Sequence, residues 1–180
     1  MSISMYAISV PAYQQMLTSL DVVLGRAAEF AGASGLDEGE LMGRRFAPDM
    51  LNLAEQIRQA CLHATLAVAR LANVAPPEIN MEPDADIASA QTRIADTIAF
   101  FAGISADAME GDPDREVQVK TRLEELTFGA LEHLVHFANP QVFFHVTTAY
   151  DLLRAEGVQI GKIDFMGKPM QDKVAALNQG

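Results

Sequence analysis

The feature that most constrains the fold is a helical period of apolar residues that returns four times along the chain. In each stretch, apolar side chains recur every three or four residues, which places them on one face of an α-helix. The pattern predicts helices over residues 11–33, 48–73, 84–103 and 140–156. Because amphipathic helices must bury their apolar faces against one another, the sequence favours a mainly α-helical fold, a four-helix bundle.

Between the third and fourth predicted helices the hydrophobic period changes from helical to alternating. Residues 115–120 alternate polar and apolar side chains, and residues 124–128 can pair with them. This pattern predicts a small β-hairpin before the last helix. Residues 129–138 again look helical, and Asn139-Pro140 predicts a break or kink there, because the residue before a proline avoids the helical region.

A chain of 180 residues fits one domain with a sizeable core. We therefore expect a single domain over residues 1–180, with residues 158–180 as an extended C-terminal tail. Glycines punctuate this tail at its start, and we expect Ile163 and Phe165 to pack against the bundle. A short helical turn is also expected within residues 36–45, with Asp37 as its N-terminal cap.

Charge and composition limit the classes of partner that the chain is expected to bind. The net charge is −11, from 24 acidic against 13 basic residues, so no nucleic acid is expected as a partner. The chain has no apolar run of about 18 residues, and residues 1–6 lack the basic start and apolar core typical of a signal peptide, so no membrane partner is expected either. The single cysteine, Cys61, cannot form an internal disulfide and is interpreted as an inert core residue. A cytoplasmic protein is expected.

His145 is the histidine that the pattern of the last helix places on its core face. At about 100 degrees per residue, it shares that face with Val142, Ala149 and Leu152. Gln141 and Thr148 lie on the same side, one turn before it and one turn after it. Because a buried imidazole must find hydrogen-bond partners, His145 is either a core histidine satisfied by a neighbour or water, or a ligand or catalytic residue.

The other histidines offer weaker patterns. His63 is expected at the rim of the second helix, and Gln56 lies on the same stripe, seven residues earlier. If the helices alternate in direction, the second and last run parallel, and Gln56 then meets His145 more easily than His63 does. His133 and His136 are three residues apart, a spacing that can clamp a metal but that also fits a surface or rim pair.

Three parts of the chain resemble a bacterial family of uncharacterised function within the DinB/YfiT-like superfamily. They are residues 1–6 (MSISMY), 46–50 (FAPDM) and 144–150 (FHVTTAY) continuing through 161–167 (GKIDFMG). The resemblance covers nearly the whole chain. It implies a DinB-like four-helix bundle, a homodimer, and a metal site of three histidines, one on the second helix and two spaced four residues apart at the start of the last.

On this chain, the resemblance implies that only His145 keeps a metal-ligand position. The other two positions fall on Gln141 and near Gln56, and a carboxamide oxygen is a poor ligand for Zn or Ni. We therefore predict a degenerate metal site to which no cofactor is assigned, while a divalent metal, Zn or Ni, stays open. Its candidate pocket residues are Gln56, Gln141, His145 and Thr148, and no catalytic residue is assigned.

The function expected from these observations is that of a non-enzymatic DinB-like protein, either a small-molecule-binding or a structural dimer. The alternative is a metal-dependent hydrolase or thiol transferase that uses His145 with a divalent metal, Zn or Ni, and recruits His63 as a further ligand. A third hypothesis is a partner-binding module that uses the hairpin and the glycine-rich tail.

Overall fold

The computed structural model describes residues 4–121 and 124–177. Residues 178–180 of the predicted tail and residues 1–3 of the first family-like segment lie outside that range. The described residues form a series of helices with one β-hairpin after the fifth helix. In chain order they are α1 (Val10–Ser34), α2 (Glu38–Met42), α3 (Leu53–Ala72), α4 (Ile87–Ala102), α5 (Ala106–Met109), β1 (Glu116–Lys120), β2 (Glu125–Gly129), α6 (Ala130–Glu132), a π-helix (His133–Ala138), α7 (Asn139–Ala155), α8 (Lys162–Met166) and α9 (Lys168–Leu177).

Four long helices carry the fold, as the sequence predicts. Both α1 and α3 pack against α4 and α7, so the apolar faces of the four helices meet in one hydrophobic core. The short α2 also forms as expected, and the Asp37 side chain caps it by accepting a hydrogen bond from the Glu40 N–H. Within the described residues, no helix is both long and apolar enough to cross a membrane.

The helices do not alternate in direction. The Tyr13 hydroxyl donates to Asn139 Oδ1 at 2.8 Å near the start of α1 and α7, and the Phe30 ring lies beside Gly157 near the end of both. These contacts make α1 and α7 parallel.

In contrast, α3 and α7 are antiparallel. Gln56, near the start of α3, contacts His145, whereas His63, two turns later, also reaches back to Phe137 ahead of α7. The expected parallel arrangement of the second and last helices is therefore wrong. Hydrophobic periodicity reports the buried face of a helix and not its direction in the bundle.

The long connection over residues 73–86 explains this topology. Gln91 of α4 donates to the Asp21 carbonyl, and Glu110, beyond α4, accepts from Ser4, ahead of α1. So α4 is antiparallel to α1 and parallel to α3, and the connection carries the chain back along the bundle. Arg93 holds this connection in place through a two-bond ion pair with Asp84, at 2.8 and 3.0 Å.

Two helices begin later than the sequence suggested. At the start of α3, Asn52 and Glu55 form a capping box, so this helix begins at Leu53 rather than at residue 48. At the start of α4, Asp86 accepts from the Ser89 N–H, and the helix begins at Ile87 because Asp84 is engaged by Arg93.

The predicted hairpin is present and is tied to the helices. β1 and β2 pair antiparallel, with Val117 opposite Phe128 and Val119 opposite Leu126, and both valines are buried. Just before β1, the Arg115 guanidinium donates to the Leu71 carbonyl at 2.9 Å. This bond satisfies one of the free carbonyls at the end of α3 and fixes the hairpin against it.

The predicted break at Asn139-Pro140 is wrong. α6, the π-helix and α7 follow one another without interruption, and Asn139 itself is helical, with φ −58° and ψ −49°. Proline has no N–H, and its ring crowds the carbonyl one turn earlier. The wider π-turn directly ahead of Pro140 relieves that crowding and lets the helix continue.

The expected extended tail is also wrong, because α8 and α9 are helical. The Gln15 side chain donates to the Met166 carbonyl at 2.7 Å, which fastens α8 to α1. Phe165 packs edge-on against Tyr150 as expected, with ring centres 5.4 Å apart, but Ile163 is exposed.

Candidate functional site

The centre of the candidate site is a hydrogen bond between α7 and α3. His145 Nδ1 and Gln56 Oε1 are 2.7 Å apart. Both side chains are buried, with exposed fractions of 7% and 1%. The predicted encounter of Gln56 with His145 is therefore observed, with the amide oxygen as the contacting atom.

The second hydrogen bond of Gln56 fixes the protonation of His145. Gln56 Nε2 donates to the Leu51 carbonyl at 3.2 Å, so the amide oxygen is the atom that faces the imidazole. Burial, and then the neighbouring His63, lowers the pKa of His145 to about 4, so the ring is neutral near pH 7. Nδ1 must carry the proton to donate to Gln56, which leaves the lone pair on Nε2.

His63 lies closer to the centre of the site than a rim position suggests. Its ring stacks on that of His145, with centres 5.5 Å apart and planes 3° from parallel. Burial, and then the charge of Arg70, lowers the pKa of His63 to about 4. Because α3 is antiparallel to α7, His145 lies between Gln56 and His63 and contacts both.

Two of the predicted pocket residues, Thr148 and Gln141, form no hydrogen bond with Gln56 or His145. Thr148 is buried, but its hydroxyl donates to the Phe144 carbonyl of its own helix at 2.8 Å. Gln141 is half-buried and makes no side-chain hydrogen bond with any described residue.

The spacing of His133 and His136 does not form a metal clamp. His133 is fully buried and His136 is exposed, so the two side chains face different surroundings. The interpretation of both as surface or rim residues is wrong for His133. Its ring stacks on Phe137, with centres 5.7 Å apart, and meets the edge of Phe128 from β2 at 6.0 Å. The π-helix changes the turn angle between residues, which the sequence spacing does not reveal.

Gln56, His63 and Arg70 form what we call the polar stripe of α3, since residues seven apart lie on one side of a helix. Of these, sequence reasoning missed Arg70. The signal that could have identified Arg70 is the regular spacing of seven residues between three polar side chains on a mostly buried helix.

The donor set does not fit a zinc or nickel centre. Among the described residues, no three His, Cys, Asp or Glu side chains are grouped so that they could hold a metal ion. Gln56 Oε1 and His145 Nδ1 already pair with each other, and an amide oxygen is a weak ligand for zinc or nickel. Cys61 is buried elsewhere in the core, and burial raises the pKa of its thiol to about 12.

The comparisons with known proteins support the helical fold and identify a family whose function is unknown. A family model described as a domain of unknown function, DUF1993, matches residues 5–166. The chain belongs to the DUF1993 family. This DUF1993 chain is similar to the crystal structure of a DinB family member protein from Shewanella denitrificans, at 30% identity over 91% of this chain and 92% of that chain, with a TM-score of 0.81.

The comparison with curated proteins found no match. The predictions of a DinB-like fold and of a family of unknown function are confirmed.

The lowered pKa values of three imidazoles, two of them buried and one half-buried, predict a loss of stability in acid. The pKa of His63, His133 and His145 is about 4 in the folded chain, against about 6.5 when unfolded. Between these values the unfolded state binds more protons, so the free energy of unfolding falls as the pH drops from about 6.5 towards 4. The slope is about 1.4 kcal/mol per pH unit for each extra proton. Above that window these groups contribute no slope.

Urea denaturation of wild type at a series of pH values measures this slope. Replacement of the buried ring, His133→Phe, should make it shallower, whereas replacement of the exposed one, His136→Gln, should not. Equal slopes in wild type and His133→Phe would contradict a buried, neutral His133.

Gln56 should matter more for stability than Gln141. Gln56→Leu leaves the buried Nδ1–H of His145 without an acceptor, which costs about 1–3 kcal/mol. The same change at half-buried Gln141 breaks no hydrogen bond to a described residue and should cost less than about 0.5 kcal/mol. Denaturation midpoints of the two variants provide the comparison, and equal losses would argue against the Gln56–His145 bond.

Proposed function

We propose that this DUF1993 chain is a non-enzymatic DinB-like binding protein, in which a structural hydrogen bond replaces a metal centre. The observation that supports this proposal is the 2.7 Å contact between Gln56 Oε1 and His145 Nδ1. It engages an imidazole nitrogen and an amide oxygen with each other inside the core, where a ligand set would need to direct them to a common point.

The hydrogen bond has a structural role of its own. Leu51, Gln56 and His145 form a short chain of bonds that joins the segment before α3 to the middle of α7. Because every buried polar group in this chain has a partner, the bonds fix the register of the two helices without the ion that a metal site would need.

Ligand binding is supported by the polar atoms that the Gln56–His145 bond leaves free to interact with a ligand. The rings of His63 and His145 are neutral and stacked, and each neutral imidazole keeps one nitrogen that accepts a hydrogen bond. Two surface grooves of about 520 and 500 Å³ lie elsewhere, one between α3 and α4 and one between α1 and the C-terminal helices. We assign ligand binding to the polar stripe rather than to these grooves, because the stripe places His63 against His145 and also carries the partly buried Arg70 guanidinium.

Metal analysis tests the non-enzymatic part of this proposal. The purified chain, incubated with Zn²⁺ or Ni²⁺ and then dialysed, should retain well under one equivalent of metal. The matched positive control is the double variant Gln56→His with Gln141→His, which restores the three-histidine set implied by the superfamily and should gain metal.

One equivalent of tightly bound metal in wild type, lost in His145→Ala, would overturn the proposal. That result would favour the metal-dependent hydrolase or thiol transferase, and metal content of His63→Ala would then show whether His63 has been recruited.

A homodimer is the second part of the proposal. Phe143 and Phe144 of α7 are 36% and 55% exposed, and exposed aromatic residues of this kind are enriched at protein interfaces. Light scattering should give twice the mass of the chain, and Phe144→Ser should lower it. A monomer at micromolar concentration would contradict this part.

A further inference from the structure

Arg70 is a partly buried cation whose side chain has no partner within residues 4–121 and 124–177. It lies at the C-terminal end of the polar stripe, and burial lowers its pKa. Among the described residues, no carboxylate forms an ion pair with it, and its guanidinium donates no hydrogen bond. Two other partly buried arginines do have acceptors for their guanidinium groups: Arg93 pairs with Asp84, and Arg115 donates to the Leu71 carbonyl. A half-desolvated guanidinium with no acceptor favours an anion that comes from outside the chain.

His133 supplies a second, independent observation. The side chain is fully buried, and neither Nδ1 nor Nε2 has a hydrogen-bond partner within the described part of the chain. Buried polar atoms are normally paired, and each one left unpaired is costly. The π-helix fixes this ring in place between Phe128 and Phe137, and π-turns are frequent at functional positions.

Arg70 and His133 belong to elements that pack against each other, α3 and the π-helix. His63 of the polar stripe meets Phe137 edge-on at 6.4 Å, and Phe137 stacks on His133, so the stripe faces the π-helix. After burial, the charge of Arg70 is the next cause that lowers the pKa of both His63 and His133. The acid next to His133 in the sequence, Glu132, is exposed and accepts from the Gly129 N–H, so it does not neutralise Arg70.

We propose that Arg70 and His133 form a binding site for an oxyanion group, a carboxylate or a phosphate. The guanidinium provides the charge and two parallel donors, which match the geometry of such groups. The N–H of the neutral His133 ring provides a further donor at the inner end. Since Arg70 is partly exposed and the His133 nitrogens are not, the anion enters on the Arg70 side.

The Arg70–His133 site specifies the class of ligand that the proposed binding protein takes. This inference rests on the proposed function, which is the reason to expect that the chain binds a ligand. Anion binding at this site is nevertheless independent of whether the chain binds a metal ion. The Gln56–His145 bond lies at the other end of the polar stripe, and anion binding requires neither of those two residues.

The test is a titration of the full chain with sodium phosphate and, separately, with sodium acetate. Calorimetry measures the Kd, and thermal unfolding measures the shift in Tm against sodium chloride at the same ionic strength. At least one of the two anions should bind saturably and raise the Tm above its value in chloride. A response to phosphate alone identifies a phosphoryl ligand, and a response to acetate alone or to both identifies a carboxylate-accepting site.

Three variants make the assignment specific. Arg70→Gln and His133→Phe should each raise the Kd at least tenfold. Arg45→Gln removes the same charge at an exposed position and should leave the Kd unchanged. If His133→Phe does not fold, Arg70→Gln decides alone, because its side chain is only partly buried.

Two results would overturn the site. One is that neither phosphate nor acetate raises the Tm above the chloride value. The other is that Arg70→Gln and Arg45→Gln weaken binding equally, which would indicate general charge attraction. Metal content of the same samples separates these failures from a failure of the non-enzymatic proposal.

Discussion

A histidine buried between two helices must be satisfied by its neighbour, because the backbone groups of its own helix are already bonded to each other. In this chain the neighbour is α3, and the satisfying atom is Gln56 Oε1. The rest of the arrangement depends on this bond. It fixes which nitrogen of His145 carries the proton, it aligns α3 and α7, and it brings His63 against the same ring.

The hydrogen bond also changes what the helix pair can do. A metal centre gathers lone pairs around a cation, whereas the Gln56–His145 bond matches a donor with an acceptor and needs no ion. Arg70, which forms no ion pair with the part of the chain that the structure describes, lowers the pKa of both His63 and His133, so the local field favours anions over cations.

Much of this could be predicted from the sequence, because helical periodicity and alternation reflect burial directly. The long helices, the hairpin and the inward position of His145 all follow from those patterns. The direction of α3 relative to α7 does not, since periodicity is the same in both directions. The burial of His133 and the helical course through Pro140 depend on a π-turn, whose hydrogen bonds leave no mark on the sequence.

The protonation state of His145 tests the central claim most directly. Imidazole ¹⁵N chemical shifts and one-bond couplings, followed by NMR from about pH 8 down to about pH 4, report which nitrogen carries the proton and where the ring titrates. The structure predicts a neutral ring protonated on Nδ1, with a pKa of about 4. A ring protonated on Nε2, or one that titrates near its ordinary value of about 6.5, would contradict a buried His145 that donates to Gln56.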